Sequence, residues 1–176
     1  MSELYDQIMS QKGSLEKIVM KIPGFKGYQD KQTRRKADTM LRDFIAKQIA
    51  DCVQKMVRIE KLILDNVGMQ YMQKTRNVKG KIQLYHDRVD TAVPGYSGMW
   101  AQMKIGAEEL EEIYSFDEAQ VIYVEKVDAA LDALQQTVLN QDGIDLAIME
   151  VDAAVTEALD AFALRDDILT RLSEST

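Results

Sequence analysis

"DKQTRRKADTMLRDFIAKQIADCVQKMVRIEKLILDN", residues 30–66, decides the fold class. Its apolar positions Ala37, Met40, Leu41, Phe44, Ile45, Ile49, Cys52, Val53, Met56, Ile59 and Ile63 recur three or four apart, the period of one face of an α-helix. Asp30 stands where an N-cap is expected, so the spacing predicts one helix from Asp30 to Asn66, about 55 Å long at 1.5 Å per residue. Intrinsic propensity does not hold a helix of that length. Its continuous apolar stripe has to be buried against partners.

Those partners are found on both sides. Beyond Gly68, the residues Met72, Thr75, Val78, Ile82, Tyr85, Val89 and Ala92 keep a near-heptad spacing. "VPGYSGMW" (93–100) stops that run, and the chain restarts near Gly106. There Leu110, Ile113, Asp117, Val121, Val124, Asp128, Leu131, Leu134 and Val138 repeat the pattern, with two aspartates narrowing the stripe. "SFDE" (115–118) spells a capping box, but the reading keeps this helix unbroken. "NQDG" (140–143) makes a turn with Asp142 as cap, and Ile144, Ile148, Val151, Val155, Leu159 and Phe162 mark a last amphipathic helix. Upstream, Ser2 caps a short helix to Ser10, Gly13 interrupts it, and Ser14 caps "SLEKIVMKI", which Pro23 ends. The expectation is all-α: an antiparallel bundle of about four long amphipathic helices forming a single domain over residues 1–176. An N-terminal helical arm spans 1–22, and connecting loops span 23–29 and 93–100. Two prolines, 9 glycines and 46% hydrophobic residues suit that reading.

The net charge of −7 hides a division. Residues 1–106 carry 19 Lys and Arg against 11 Asp and Glu, a balance of +8; residues 107–176 carry 3 against 18, a balance of −15. Either one half neutralises the other, or one of them meets a charged partner. No stretch approaches the ~20 apolar residues of a membrane span, and "MSELYDQIMSQKG" is amphipathic where a signal peptide has an apolar block. The expected location is the cytoplasm, with peripheral contact to a membrane as the alternative.

Complete catalytic or metal-binding sets are missing from the sequence. The one histidine, His86, follows Gln83 where a ferritin-like di-metal bundle needs Glu-x-x-His. Placing Gly143 at the sixth position of a calcium loop puts Val138 first and Met149 twelfth, where acids are required. The lone Cys52, at an apolar helical position, reads as a buried thiol, and "EELEE" (108–112) as a solvated first turn. The expectation is no enzyme and no cofactor.

Two segments carry recognition chemistry. "PGFKGY" (23–28) and "PGYSG" (94–98) pair a turn with aromatics, which read chiefly as caps over the end of a bundle core. The match between them ends with the loop, since Met40 and Leu41 would align with Glu111 and Glu112. Next to the first, "DKQTRRKAD" crowds cations into the start of the long helix. Phe25, Lys26, Tyr28, Lys31, Arg34, Arg35, Lys36, Tyr96 and Trp100 are therefore the candidate binding residues.

"IPGFKGYQDKQTRRKADTMLRDFIA", with "PGYSGMW" and "LEEIYSFDEA" later, resembles a family of uncharacterised bacterial helical proteins. The matching residues are Pro23, Gly24, Phe25, Lys26, Gly27, Tyr28, Arg34, Arg35, Asp38 and Leu41, then Gly95, Tyr96, Gly98, Tyr114, Phe116 and Asp117. Pro94 departs from the family pattern. The resemblance implies an all-helical fold, no assigned activity, and an accessory role beside stomatin/prohibitin-like scaffold proteins. Together these readings predict a non-enzymatic helical-bundle interaction, scaffold or adaptor protein that self-associates as a homo-oligomer and binds an unidentified protein partner. The alternative is a peripheral binder of an anionic membrane surface, with nucleic acid and small-molecule substrates less favoured.

Overall fold

The computed structural model describes residues 2–91 and 96–175, with Tyr96 and Ser97 as backbone alone. Among these residues all regular structure is helical: α1 (Glu3–Ser10), α2 (Leu15–Lys21), α3 (Arg34–Asn66), α4 (Met72–Asp90), α5 (Tyr96–Gln102), α6 (Ala107–Asn140) and α7 (Ile144–Glu174). Ser2 and Ser14 cap α1 and α2 as expected, accepting from the amides of Tyr5 and Lys17. α6 runs unbroken through Ser115–Glu118.

Three boundaries differ from the sequence reading. The Asp30 carboxylate accepts from the Gln32 amide at 3.0 Å and its carbonyl from Thr33, so Asp30 stabilises a turn and Arg34 opens the helix. α7 begins behind Gly143, whose φ of +76° makes the turn without a side-chain cap from Asp142. Residues 96–100, expected as loop, belong to helix α5. The rest of that expected loop, with Pro94, lies outside the described residues.

α3 packs against α4 and α6, and α7 packs against the same two helices. The lengths are unequal. α3, α6 and α7 have 33, 34 and 31 residues, about 50 Å each, whereas α4 has 19, about 28 Å. Where α4 stops, α5 takes up contact with α3 and α7, the two helices that flank α4. The arm is not free: α1 lies on α6 and α7, and α2 lies on α6. This second covering layer explains why Glu112 through Asp117 and Ala119 through Val121 are buried on every side of α6.

A single apolar cluster draws residues from all seven described helices. The buried positions of α6 include the seam Ile113, Asp117, Gln120, Val124, Val127, Leu131, Leu134 and Val138, and those of α7 include Ile144, Ile148, Val151, Val155, Ala158, Phe162, Arg165, Leu169 and Leu172. Spacings of three and four alternate throughout, as in coiled-coil packing. Val127 occupies the place the sequence reading gave to Asp128. Asp128 turns outward and accepts from Lys55 at 2.6 Å.

Candidate functional site: a buried polar layer and its cationic rim

Near one end of the molecule the seams stop being apolar. Asp38 of α3, Asp117 of α6 and Arg165 of α7 meet there, and Tyr28 of the preceding loop inserts among them; none of the four is more than 2% exposed. Arg165 donates from Nε to Asp117 Oδ1 at 2.7 Å, and from Nη2 to Asp38 Oδ1 at 2.8 Å and to the Tyr28 hydroxyl at 3.2 Å. That hydroxyl donates to Asp117 Oδ2 at 2.5 Å. The guanidinium fork thus spans two carboxylates from different helices, while the phenol closes the ring.

The loop is fitted to this task. The Tyr28 ring lies flat on Trp100, with centroids 4.9 Å apart, and meets Phe25 edge-on at 5.8 Å. The Tyr114 hydroxyl accepts from the Tyr28 amide at 3.1 Å. Arg34 donates to the carbonyls of Tyr28 and Met103 at 2.8 and 2.9 Å, tying the loop to the segment between α5 and α6. Gly27 is required on two grounds. Its φ is +76°, and a Cβ there would collide with the Tyr114 hydroxyl.

Burial governs the protonation of the layer. It pushes the Tyr28 phenol well above its ordinary range, with the Asp117 charge adding to the effect. It also raises the Asp117 carboxyl, outweighing the opposing pull of Arg165. With these groups sealed from water, the layer orients the loop and the three helices against one another. A dissolved molecule reaches it only if this end opens.

The candidate binding residues therefore separate into two groups. Phe25, Tyr28, Arg34 and Trp100 are buried and belong to the interior; Lys26, Lys31, Arg35 and Lys36 are exposed around them. The Tyr96 side chain lies outside what is described. The exposed four make no ion pair among the described residues, in contrast to five other cations of the first half. Lys17 and Lys21 pair with Glu118 and Glu125, Lys55 with Asp128 and Asp132, Lys74 with Asp145, and Lys81 with Asp152. The two oppositely charged halves thus meet in part along the flanks of the bundle, and the rim cations stay outside those pairs.

Glu112 also departs from the sequence reading. Far from being a solvated first-turn acid, it is buried and accepts from the Tyr5 hydroxyl at 2.8 Å and from Arg171 at 2.6 Å, clasping α1 to α6 and α7. Arg165 was missed altogether, although the seam position three residues beyond Phe162 falls on it. Among the described residues no cluster of three or more His, Cys, Asp or Glu is arranged to hold a metal ion, and no helix is long and apolar enough to cross a membrane. The chain matches no protein-family model, no curated protein and no solved structure.

Proposed function

We propose that this chain is a non-enzymatic scaffold or adaptor, an antiparallel four-helix bundle of α3, α4, α6 and α7 that self-associates and offers its cationic rim to a protein partner. The distribution of surface charge carries this reading. Lys17, Lys21, Lys55, Lys74 and Lys81 are paired with acids of α6 and α7, whereas Lys26, Lys31, Arg35 and Lys36, close together in sequence, remain exposed beside a plugged bundle end. The chemically conspicuous groups inside that end are engaged with one another, which suits a recognition platform. The family resemblance, with its accessory role beside membrane scaffold proteins, points the same way. Light scattering tests the self-association: a mass above the 20.0 kDa of one chain is expected, and a strict monomer at high concentration rejects it.

The same unpaired rim favours one second reading, attachment to an anionic membrane surface. Co-sedimentation with phosphatidylserine vesicles distinguishes the two. Binding that disappears in high salt and in the variant Lys31→Glu/Arg35→Glu/Lys36→Glu supports the membrane reading. A defined oligomer that ignores vesicles supports the protein-partner reading.

A further inference from the structure

The N-terminal arm is covalently joined to α3 but seated elsewhere. α1 lies on α6 and α7 and α2 on α6, and neither packs on α3, the helix that follows them. Their polar fastenings are equally remote in sequence: Tyr5 to Glu112, the Gly13 amide to Ser115 Oγ at 3.1 Å, Lys17 to Glu118, and Lys21 to Glu125 at 2.7 Å. Nothing in this chemistry requires that the arm and the α6/α7 face belong to one molecule.

We infer that the α6/α7 face is a helix-docking groove that the arm of a second copy occupies in exchange, joining two chains reciprocally. The inference rests on the self-association proposed above and names its surface. Three observations carry it. Charge complementarity is built in, since basic α2 meets acidic α6 through Lys17–Glu118 and Lys21–Glu125. The hinge is defined: Ile22 and Phe25 are buried on either side of exposed Pro23 and Gly24, and Gly24 has a φ of +87°. Tyr28, locked in its own bundle, fixes where the exchanged segment must end. Lastly, α2 turns apolar residues to solvent, with Met20 83% exposed and Val19 38% exposed beside a groove lined by Ile18, Val121 and Ile122. In the exchanged dimer the bundle that follows the arm is tethered at Pro23 and Gly24, a few residues from Val19 and Met20, and covers side chains that the arm seated in its groove leaves in water. Exchange of an identical element is a low-cost route to a dimer, because each fastening is remade between chains.

The test uses the intact chain. Ordinary and 15N-labelled protein are unfolded together, refolded as a mixture at high concentration, and treated with a zero-length carbodiimide, which joins Lys21 to Glu125 as an amide. Mass spectrometry of the Lys21–Glu125 linked peptide then reports whether both halves carry the same label. Mixed-label peptides in the statistical proportion, in a fraction that light scattering finds dimeric, are expected. Only single-label peptides in a dimeric fraction overturn arm exchange and leave self-association standing; a strict monomer overturns both.

Discussion

Arg165 and Asp117, 48 residues apart in the chain, meet at 2.7 Å on two helix seams that are otherwise almost wholly apolar, and Arg165 is also the bridge to Asp38. Arg165→Met leaves both carboxylates buried without their cation, at a cost of about 3–5 kcal/mol. Burial already raises Asp117 despite its partner, so the layer is not there for stability alone. The combined variant Tyr28→Phe/Asp38→Leu/Asp117→Leu/Arg165→Met is therefore expected to be markedly more stable than Arg165→Met alone. Urea unfolding of both proteins decides the point, and equal loss in the two contradicts it.

Gln120 presents the opposite case. It is fully buried on the α6 seam, and neither its amide oxygen nor its amide nitrogen has a hydrogen-bond partner among the described residues. A buried polar group left unpaired costs about 1–3 kcal/mol. Gln120→Leu, close in volume, should raise the thermal midpoint, and a lower midpoint means that the amide is satisfied by an internal water.

The glycines of the first half rank themselves. At Gly24 an added methyl meets only the Met40 methyl at 3.8 Å, so Gly24→Ala carries the backbone penalty of positive φ, about 1–2 kcal/mol. Gly27→Ala adds a collision with the Tyr114 hydroxyl and should be substantially worse. Gly13→Ala drives a methyl to 2.5 Å from the Tyr114 carbonyl and the Ser115 Cα, so it should lift the arm. Limited proteolysis is expected to cut that variant near residue 13 sooner than the parent, and an unchanged pattern would sink the argument.

Alkali should unfold the chain in a defined direction. Burial pushes the Cys52 thiol up to about 12 and raises the Tyr85 and Tyr28 phenols. Folded values above unfolded ones mean that the unfolded chain releases these protons first. Their contribution to stability is complete below the ordinary thiol and phenol values and is lost as pH rises from there through about 12 for Cys52. Denaturant midpoints should decline over that window, while a thiol reagent at mildly alkaline pH labels Cys52 only as fast as the protein opens. Immediate labelling of the native chain would show the thiol to be accessible.

Much of this architecture is legible in the sequence because seam spacing is an unambiguous signal over runs as long as Met56–Ile59–Ile63 or Leu131–Leu134–Val138. The polar layer is harder to read. Asp117 and Asp128 look alike on a stripe of three- and four-residue steps, yet one is sealed in the core and the other reaches Lys55, because Val127 holds the neighbouring seam position. The burial of Glu112 depends on a covering arm from the other end of the chain. Tyr28 and Trp100 could be guessed as an end cap from their turn residues, but their stacking depends on α4 being shorter than its neighbours.

The placement of the connections also bears on the order in which the protein assembles. At the opposite end, α3 joins α4 through residues 67–71 and α6 joins α7 through 141–143, so helices meet after closing small loops. The plugged end must gather Tyr28, Trp100, Asp117 and Arg165, with Tyr28 and Arg165 137 residues apart. Contacts so distant along the chain form slowly, since loop-closure entropy is lost before they provide any stabilisation. The hairpin end is therefore expected to start folding and the aromatic plug to close it, so that the cationic rim takes its final form only once the whole chain has found its place.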